Sequence, residues 1–279
     1  MRGASRTSLG AVTEDVRPVL EGARGTDLGE QLFGVVDLLD SSGPLRRALT
    51  DPARDAAART ALADRLLTGQ VGLEALDVVR RLVGGRWSGP RDLVDAVEQI
   101  AVLATVSGAS QPEAPSDGAP GSDGVDRVEE EIFRVERLLS GDRALRAAVA
   151  DRYAPDEART ALLERLLGDR VAPGTLLLVR RAAVRSRGRT PEHALTEYGE
   201  LAAEWRRRVV ALVTTAVPLG DAQRQRLVEL LSRQYGRDVH LDSAVDPGVV
   251  GGVRLEVGGE LVDSTLSSRL DETRRRLTR

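Results

Sequence analysis

Apolar residues recur three and four positions apart along most of the chain up to Arg208, the spacing of helices that bury one face. The pattern predicts helices over Leu9–Leu20, Leu28–Leu39, Leu45–Leu49, Arg54–Leu67, Gly72–Val83 and Asp92–Val106, with breaks at Pro44, Pro52 and Gly69. The series then starts again. The stretch Leu32–Arg81 lies over Ile132–Arg181 without a gap, with roughly four in ten positions identical. Phe33 meets Phe133, Leu38 and Leu39 meet Leu138 and Leu139, Leu62 meets Leu162, and the doublet Arg80–Arg81 meets Arg180–Arg181. Matching apolar positions at helical spacing call for the same helices twice, and short connections favour antiparallel packing. A further helix, Glu192–Arg208, follows the second repeat. The helix Asp92–Val106 stands where it can close a first bundle and open a second.

Beyond Arg208 the period changes. Val209–Val213 reads as a strand, and Asp221–Tyr235 as a helix with Leu227, Leu230, Leu231 and Tyr235 on one face. Val239, Leu241, Ser243 and Val245 alternate, as do Val253, Leu255 and Val257 with Arg254 and Glu256 between them. Gly258 and Gly259 then offer a two-residue hairpin turn before Leu261 and Val262. Asp263 and Ser264 carry oxygens suited to capping a last helix, whose apolar face is Leu266, Leu270, Thr273 and Leu277. The expected fold is therefore mainly α with a small α+β C-terminal domain: a duplicated N-terminal helical bundle followed by a β-α-β-β-α unit. The expected domains are a first bundle over 1–106, a second over 125–206, and the C-terminal domain over 207–279. Between the bundles, 107–124 is a Ser, Gly, Pro and acidic segment with no apolar anchor beyond Ala, expected to be a flexible loop.

Composition narrows the chemistry. With 279 residues, 41% hydrophobic and 30% charged, the chain is long enough for one or two domains with substantial cores. Aromatic residues make up only 3%, which suits close-packed helices of Leu, Val and Ala. There is no Cys, which excludes disulfides, thiolate nucleophiles and Cys-ligated metal sites. Lys is absent too, which removes the phosphate-loop Lys and the Schiff-base Lys. A net charge of −3 gives no global attraction to nucleic acid or anionic lipid. No stretch approaches the roughly 20 apolar residues of a membrane-spanning helix, and the first twenty residues lack a signal-peptide core, so a cytoplasmic chain is expected.

Few residues invite a catalytic or metal reading. His193 and Glu197 stand one helical turn apart beside Glu192 and Glu200, but a lone His without a second ligand reads as a solvated helix face. His240 has no nucleophile motif beside it. The Arg clusters Arg180–Arg189, Arg206–Arg208 and Arg274–Arg276 lack interleaved aromatics and read as solvated or partner-facing surfaces. Gly84–Gly85, Gly251–Gly252 and Gly258–Gly259 form no phosphate-binding pattern. Trp87 and Trp205, each near a helix end, read as packing residues. No catalytic residue, cofactor or metal is expected.

One stretch carries a family resemblance. Arg206–Leu277, and less specifically Val125–Ala203, is similar to the delta subunit of bacterial F-type ATP synthases, the relative of the mitochondrial oligomycin-sensitivity-conferring protein. Three segments carry it: TTAVPL at Thr214–Leu219, with Pro218; Gly251, Gly252 and Arg254 of the strand Gly251–Arg254; and Asp263, Ser264, Arg269 and Leu270 at the start of the last helix. Gly220 stands where a Ser or Thr cap is usual, and Ser264 where a Gly is usual. The duplicated helical region resembles the long form of high-GC Gram-positive bacteria. The resemblance implies a non-catalytic stator subunit linking the alpha/beta catalytic head to the b-subunit stalk, peripheral on the cytoplasmic face of the membrane. It implies that the helical region, here its second copy, grips an N-terminal segment of an alpha subunit, and that the C-terminal domain meets the b subunit. The competing reading is a free-standing helical-repeat or RNA-binding adaptor.

Overall fold

The computed structural model describes residues 1, 3–23, 26–109, 123–217, 219–235, 238–246, 253–257 and 260–263. It is mainly helical, with one small sheet, and divides into two units. The first holds the helices as far as Ala203; the second begins at Glu204. The centre of the 107–124 segment, 110–122, lies outside the described residues, as does the expected last helix.

In the first unit, α1 (Ala4–Gly22), α2 (Asp27–Ser41), α3 (Gly43–Thr50), α4 (Ala56–Leu67) and α5 (Leu73–Gly84) lead into α6 (Pro90–Gly108). Local chemistry sets the boundaries. Ser42 and Asp55 accept from the N–H groups of Leu45 and Ala58 at 3.3 and 2.6 Å and cap α3 and α4, and Pro44 sits in the first turn of α3, where its missing N–H is harmless. The cap at Asp55 is why α4 opens two residues after the expected Arg54. The helices α7 (Asp123–Gly141), α8 (Arg143–Ala150), α9 (Asp156–Leu167), α10 (Pro173–Val184) and α11 (Pro191–Arg207) follow.

Helix α6 is buried without interruption from Ile100 to Gly108 and packs against α1, α2, α3 and α5 and also against α7 and α10. A helix apolar all round belongs inside a core. Its closest crossing is with α2, where Gly29 lies so near Thr105 that an added Cβ would stand 2.1 Å from the Thr105 hydroxyl. On another side Gly174 of α10 meets the same threonine, whose backbone oxygen would lie 3.3 Å from a Cβ there. Thr105 satisfies its own hydroxyl on the Ala101 carbonyl at 2.9 Å, as a buried polar group must.

Two tertiary contacts recur at a spacing of one hundred residues. Gln31 Oε1 accepts the N–H of Gly72 at 2.5 Å before α5, and Glu131 Oε2 accepts the N–H of Ala172 at 2.8 Å before α10. The buried Arg59 donates to the Val83, Gly84 and Gly85 carbonyls at 3.1 Å each, satisfying the end of α5, and the buried Arg159 donates to the Ala183 carbonyl at 2.8 Å near the end of α10.

The second unit carries β1 (Arg208–Thr215), α12 (Asp221–Tyr235), β2 (Asp238–Val245), β3 (Val253–Val257) and β4 (Glu260–Asp263), with strand order β2-β1-β3-β4. β1 and β2 are parallel, and α12 between them supplies the crossover that parallel strands need. β3 runs antiparallel to β1 and to β4, and Val257 pairs with Glu260, which leaves two residues for the connection. Val213, Leu231 and Leu241 form the core, with Leu219, Leu227, Val228 and Leu255 packed on it. At the Gly220 cap the glycine has no side chain to offer α12, and the Gln223 side chain instead accepts the Gly220 N–H at 3.0 Å.

Candidate interaction site

The expected site positions fall unevenly on the described residues. Arg254 stands on β3 in register with Thr214 on one side and Asp263 on the other, and Asp263 ends β4. Pro218, Gly251, Gly252, Ser264, Arg269 and Leu270 lie outside the described residues. So do the Arg274–Arg276 cluster and the side chains of Arg206–Arg208 and His240. His193 Nε2 lies 3.3 Å from Glu197 Oε1 on an exposed face of α11. Trp205 is buried, and the Trp87 indole donates to the Leu82 carbonyl at 2.8 Å.

The reading of Arg180–Arg189 as a solvated or partner-facing surface needs correcting. Arg180 and Arg185 are half exposed, beside Glu164 and Asp156, but Arg181, Arg187 and Arg189 turn inward. Arg181, 6% exposed, lies over the Phe33 ring at 4.9 Å and holds Asp37 of α2 through two contacts of 2.7 and 2.8 Å. Arg187 reaches Asp40 of α2 at 2.7 Å and Asp95 and Glu98 of α6 at 2.8 Å each. Arg189 reaches the other Glu98 oxygen at 2.5 Å and pairs with Glu197, and the Tyr198 hydroxyl donates to Glu98 at 2.9 Å. The physical reason is Glu98. A carboxylate only 5% exposed demands compensation, and fork-shaped guanidinium groups supply it.

The charges tune one another. Burial pulls the Arg187 pKa down, and the attraction of Glu98, Asp40 and Asp95 more than reverses it, so the guanidinium is held above its ordinary value. Burial, together with the Glu98 charge, raises the Tyr198 phenol, which stays a hydrogen-bond donor. These groups form a closed ion network and present no nucleophile or base to a substrate. Among the described residues no group of three or more His, Asp or Glu is placed to hold a metal.

Exposed apolar side chains mark the surfaces that remain. In the first repeat, Val35, Leu38, Leu39, Leu45, Leu49, Ala63 and Leu66 are among the residues around a small, wholly apolar cleft. In the second, Leu163 stands in place of Ala63 and is fully buried. Phe33 is 3% exposed beneath Arg181, whereas its repeat partner Phe133 on α7 is 56% exposed and touched by Arg137 of its own helix at 5.9 Å. Leu138 is exposed on the same helix and Tyr153 lies open after α8; in the second unit Val217, Leu230 and Val245 are exposed.

Fold and surface together define a helical binding protein whose polar interior is structural. The model of the family "ATP synthase delta (OSCP) subunit" matches residues 116–277. The ATP synthase subunit delta of Kineococcus radiotolerans is 46% identical over 277 residues, covering 99% of this chain and 97% of that one. That of Beutenbergia cavernae is 46% identical over 279 residues, covering 99% of both, and that of Thermobifida fusca 43% identical over 277, again covering 99% of both. The chain belongs to the ATP synthase delta (OSCP) subunit family. It is a non-catalytic, peripheral-stalk subunit of an F-type ATP synthase and serves ATP synthesis as part of the stator. Among the described residues no helix is long and apolar enough to cross a membrane, in keeping with a peripheral place on it. Relatives of equal length set aside the free-standing adaptor reading.

Proposed function

We propose that this subunit ties the catalytic head to the stalk by two separate surfaces. The second helical copy, 125–206, receives an N-terminal segment of an alpha subunit, and the C-terminal domain, 207–279, meets the b subunit, on the cytoplasmic face of the membrane. The organisation behind this is a duplicated helical bundle, 1–106 and 125–206, joined by the 107–124 segment and followed by a β-α-β-β-α unit. The recurring Gln31–Gly72 and Glu131–Ala172 contacts support that duplication. Pro218, Gly251, Gly252, Arg254, Asp263, Ser264, Arg269 and Leu270 serve the C-terminal fold rather than any chemistry.

The single observation carrying the assignment to the second copy is the fate of one phenylalanine. Packing within the unit covers Phe33, while Phe133 leaves a large aromatic ring exposed on α7, an anchor of the kind by which an amphipathic helix is gripped. The test is titration of the full chain against the isolated alpha/beta head. Phe133→Ser is expected to weaken binding by at least about tenfold, the loss of one buried aromatic anchor, and Leu38→Ser on the first copy to leave it unchanged. The opposite pattern overturns the assignment.

A further inference from the structure

The α10–α11 connection, residues 185–190, is one residue longer than its counterpart between α5 and α6, residues 85–89. Within it Arg187 is, among the described residues, the one non-glycine with positive φ, at 54°. An L-residue held in the left-handed region is strained, and such strain persists where the surroundings require it. What requires it here is on the page: in that conformation Arg187 is 14% exposed and its three nitrogens meet three carboxylates on two helices, Asp40 of α2 and Asp95 and Glu98 of α6. Arg189, two residues on, takes the remaining Glu98 oxygen, and Arg181 one helix earlier holds Asp37.

Every bridge in this set runs from α10, or the connection after it, to α2 or α6. The partners are 89 to 147 residues apart in the chain. We propose that the 185–190 connection is a strap, pinned by Arg187, that fastens the second helical copy onto the first and makes the two one stiff arm. The counterpart 85–89 has Trp87 at the pinned position and is held by hydrogen bonds to Ser5 and Ser8 of α1, with no ion pair to another bundle among the described residues. A subunit that resists torque gains directly from such a fastening: a bundle gripping the head transmits force only if it cannot swing against the rest of the chain. That last step rests on the stalk reading; the fastening itself does not.

Arg187→Gly separates strain from fastening. Glycine adopts the left-handed conformation freely, so a residue that mattered only for its backbone would be replaced without loss. The experiment measures amide hydrogen exchange on the purified full chain, for the parent, Arg187→Gly, Glu98→Gln and the double variant. Arg187→Gly is expected to lower protection in α10 and α11 by about tenfold or more, with α1–α5 keeping theirs. Adding Glu98→Gln to it is expected to cause little further loss, because both act on one network. Unchanged protection in Arg187→Gly, or loss spread evenly over both copies, overturns the strap. In the assembled enzyme, Arg187→Gly is expected to bind the head normally and to lower the yield of ATP per proton. Normal coupling alongside local loss of protection would leave the strap standing and count against its mechanical role.

Discussion

At the scale of single residues, position decides what an identical side chain does. Gly29 and Gly34 lie on adjacent turns of α2. An alanine Cβ at Gly34 meets nothing within 4 Å, whereas at Gly29 it would collide with Thr105. Helix propensity alone favours alanine at both by roughly 0.5–1 kcal/mol. Gly34→Ala is therefore expected to raise the free energy of unfolding in urea by that increment, and Gly29→Ala to lower it by about 1–3 kcal/mol, as overpacking does. Thr105→Ala removes the obstructing hydroxyl and is expected to recover part of the loss. If Gly29→Ala proved neutral, α2 and α6 would not cross as described. Phe33 and Phe133 teach the same lesson. The sequence makes them equivalent, yet Phe33 is core, with Arg181 reaching over it from α10, and Phe133 is left open.

At the scale of elements, helices and strands were legible because their signals are local. The apolar spacing from Leu28 to Leu39 and from Asp92 to Val106, and the alternation at Val253–Val257, each sit inside one element, and α2, α6 and β3 follow them. The caps at Ser42 and Asp55 moved boundaries by a residue or two and no more. The ion network was not legible, because Glu98 and Arg187 have no local relation: each looked like one more charge on an amphipathic surface. The only hint was Glu98 itself, a carboxylate between the apolar Val97 and Ile100 of the helix. The two repeats also differ in how well their elements close. Beside the buried Ala63 the space between α2, α3, α4 and α5 admits little more than a water-sized group, whereas the second repeat houses Leu163 at the matching position. Ala63→Leu is expected to destabilise the chain by about 1–3 kcal/mol in thermal or urea unfolding, as overpacking does. A stabilised Ala63→Leu would mean that the first repeat has room for the side chain the second one carries.

At the scale of the whole molecule, the chain carries almost no chemistry and much structure. Its buried Glu98 is matched by arginines, its described helices leave small apolar surfaces exposed, and relatives of equal length are named ATP synthase subunit delta. Function here is the simultaneous holding of partners, where several moderate contacts act together. The central claim is therefore that the chain works only as part of the ATP synthase, and removing it from membranes tests that most directly. Membranes depleted of the subunit are expected to lose proton-driven ATP synthesis, with the catalytic head released in a form that still hydrolyses ATP, and to regain synthesis when the purified chain is added back. Depleted membranes that retained the head and made ATP at the original rate would contradict the account.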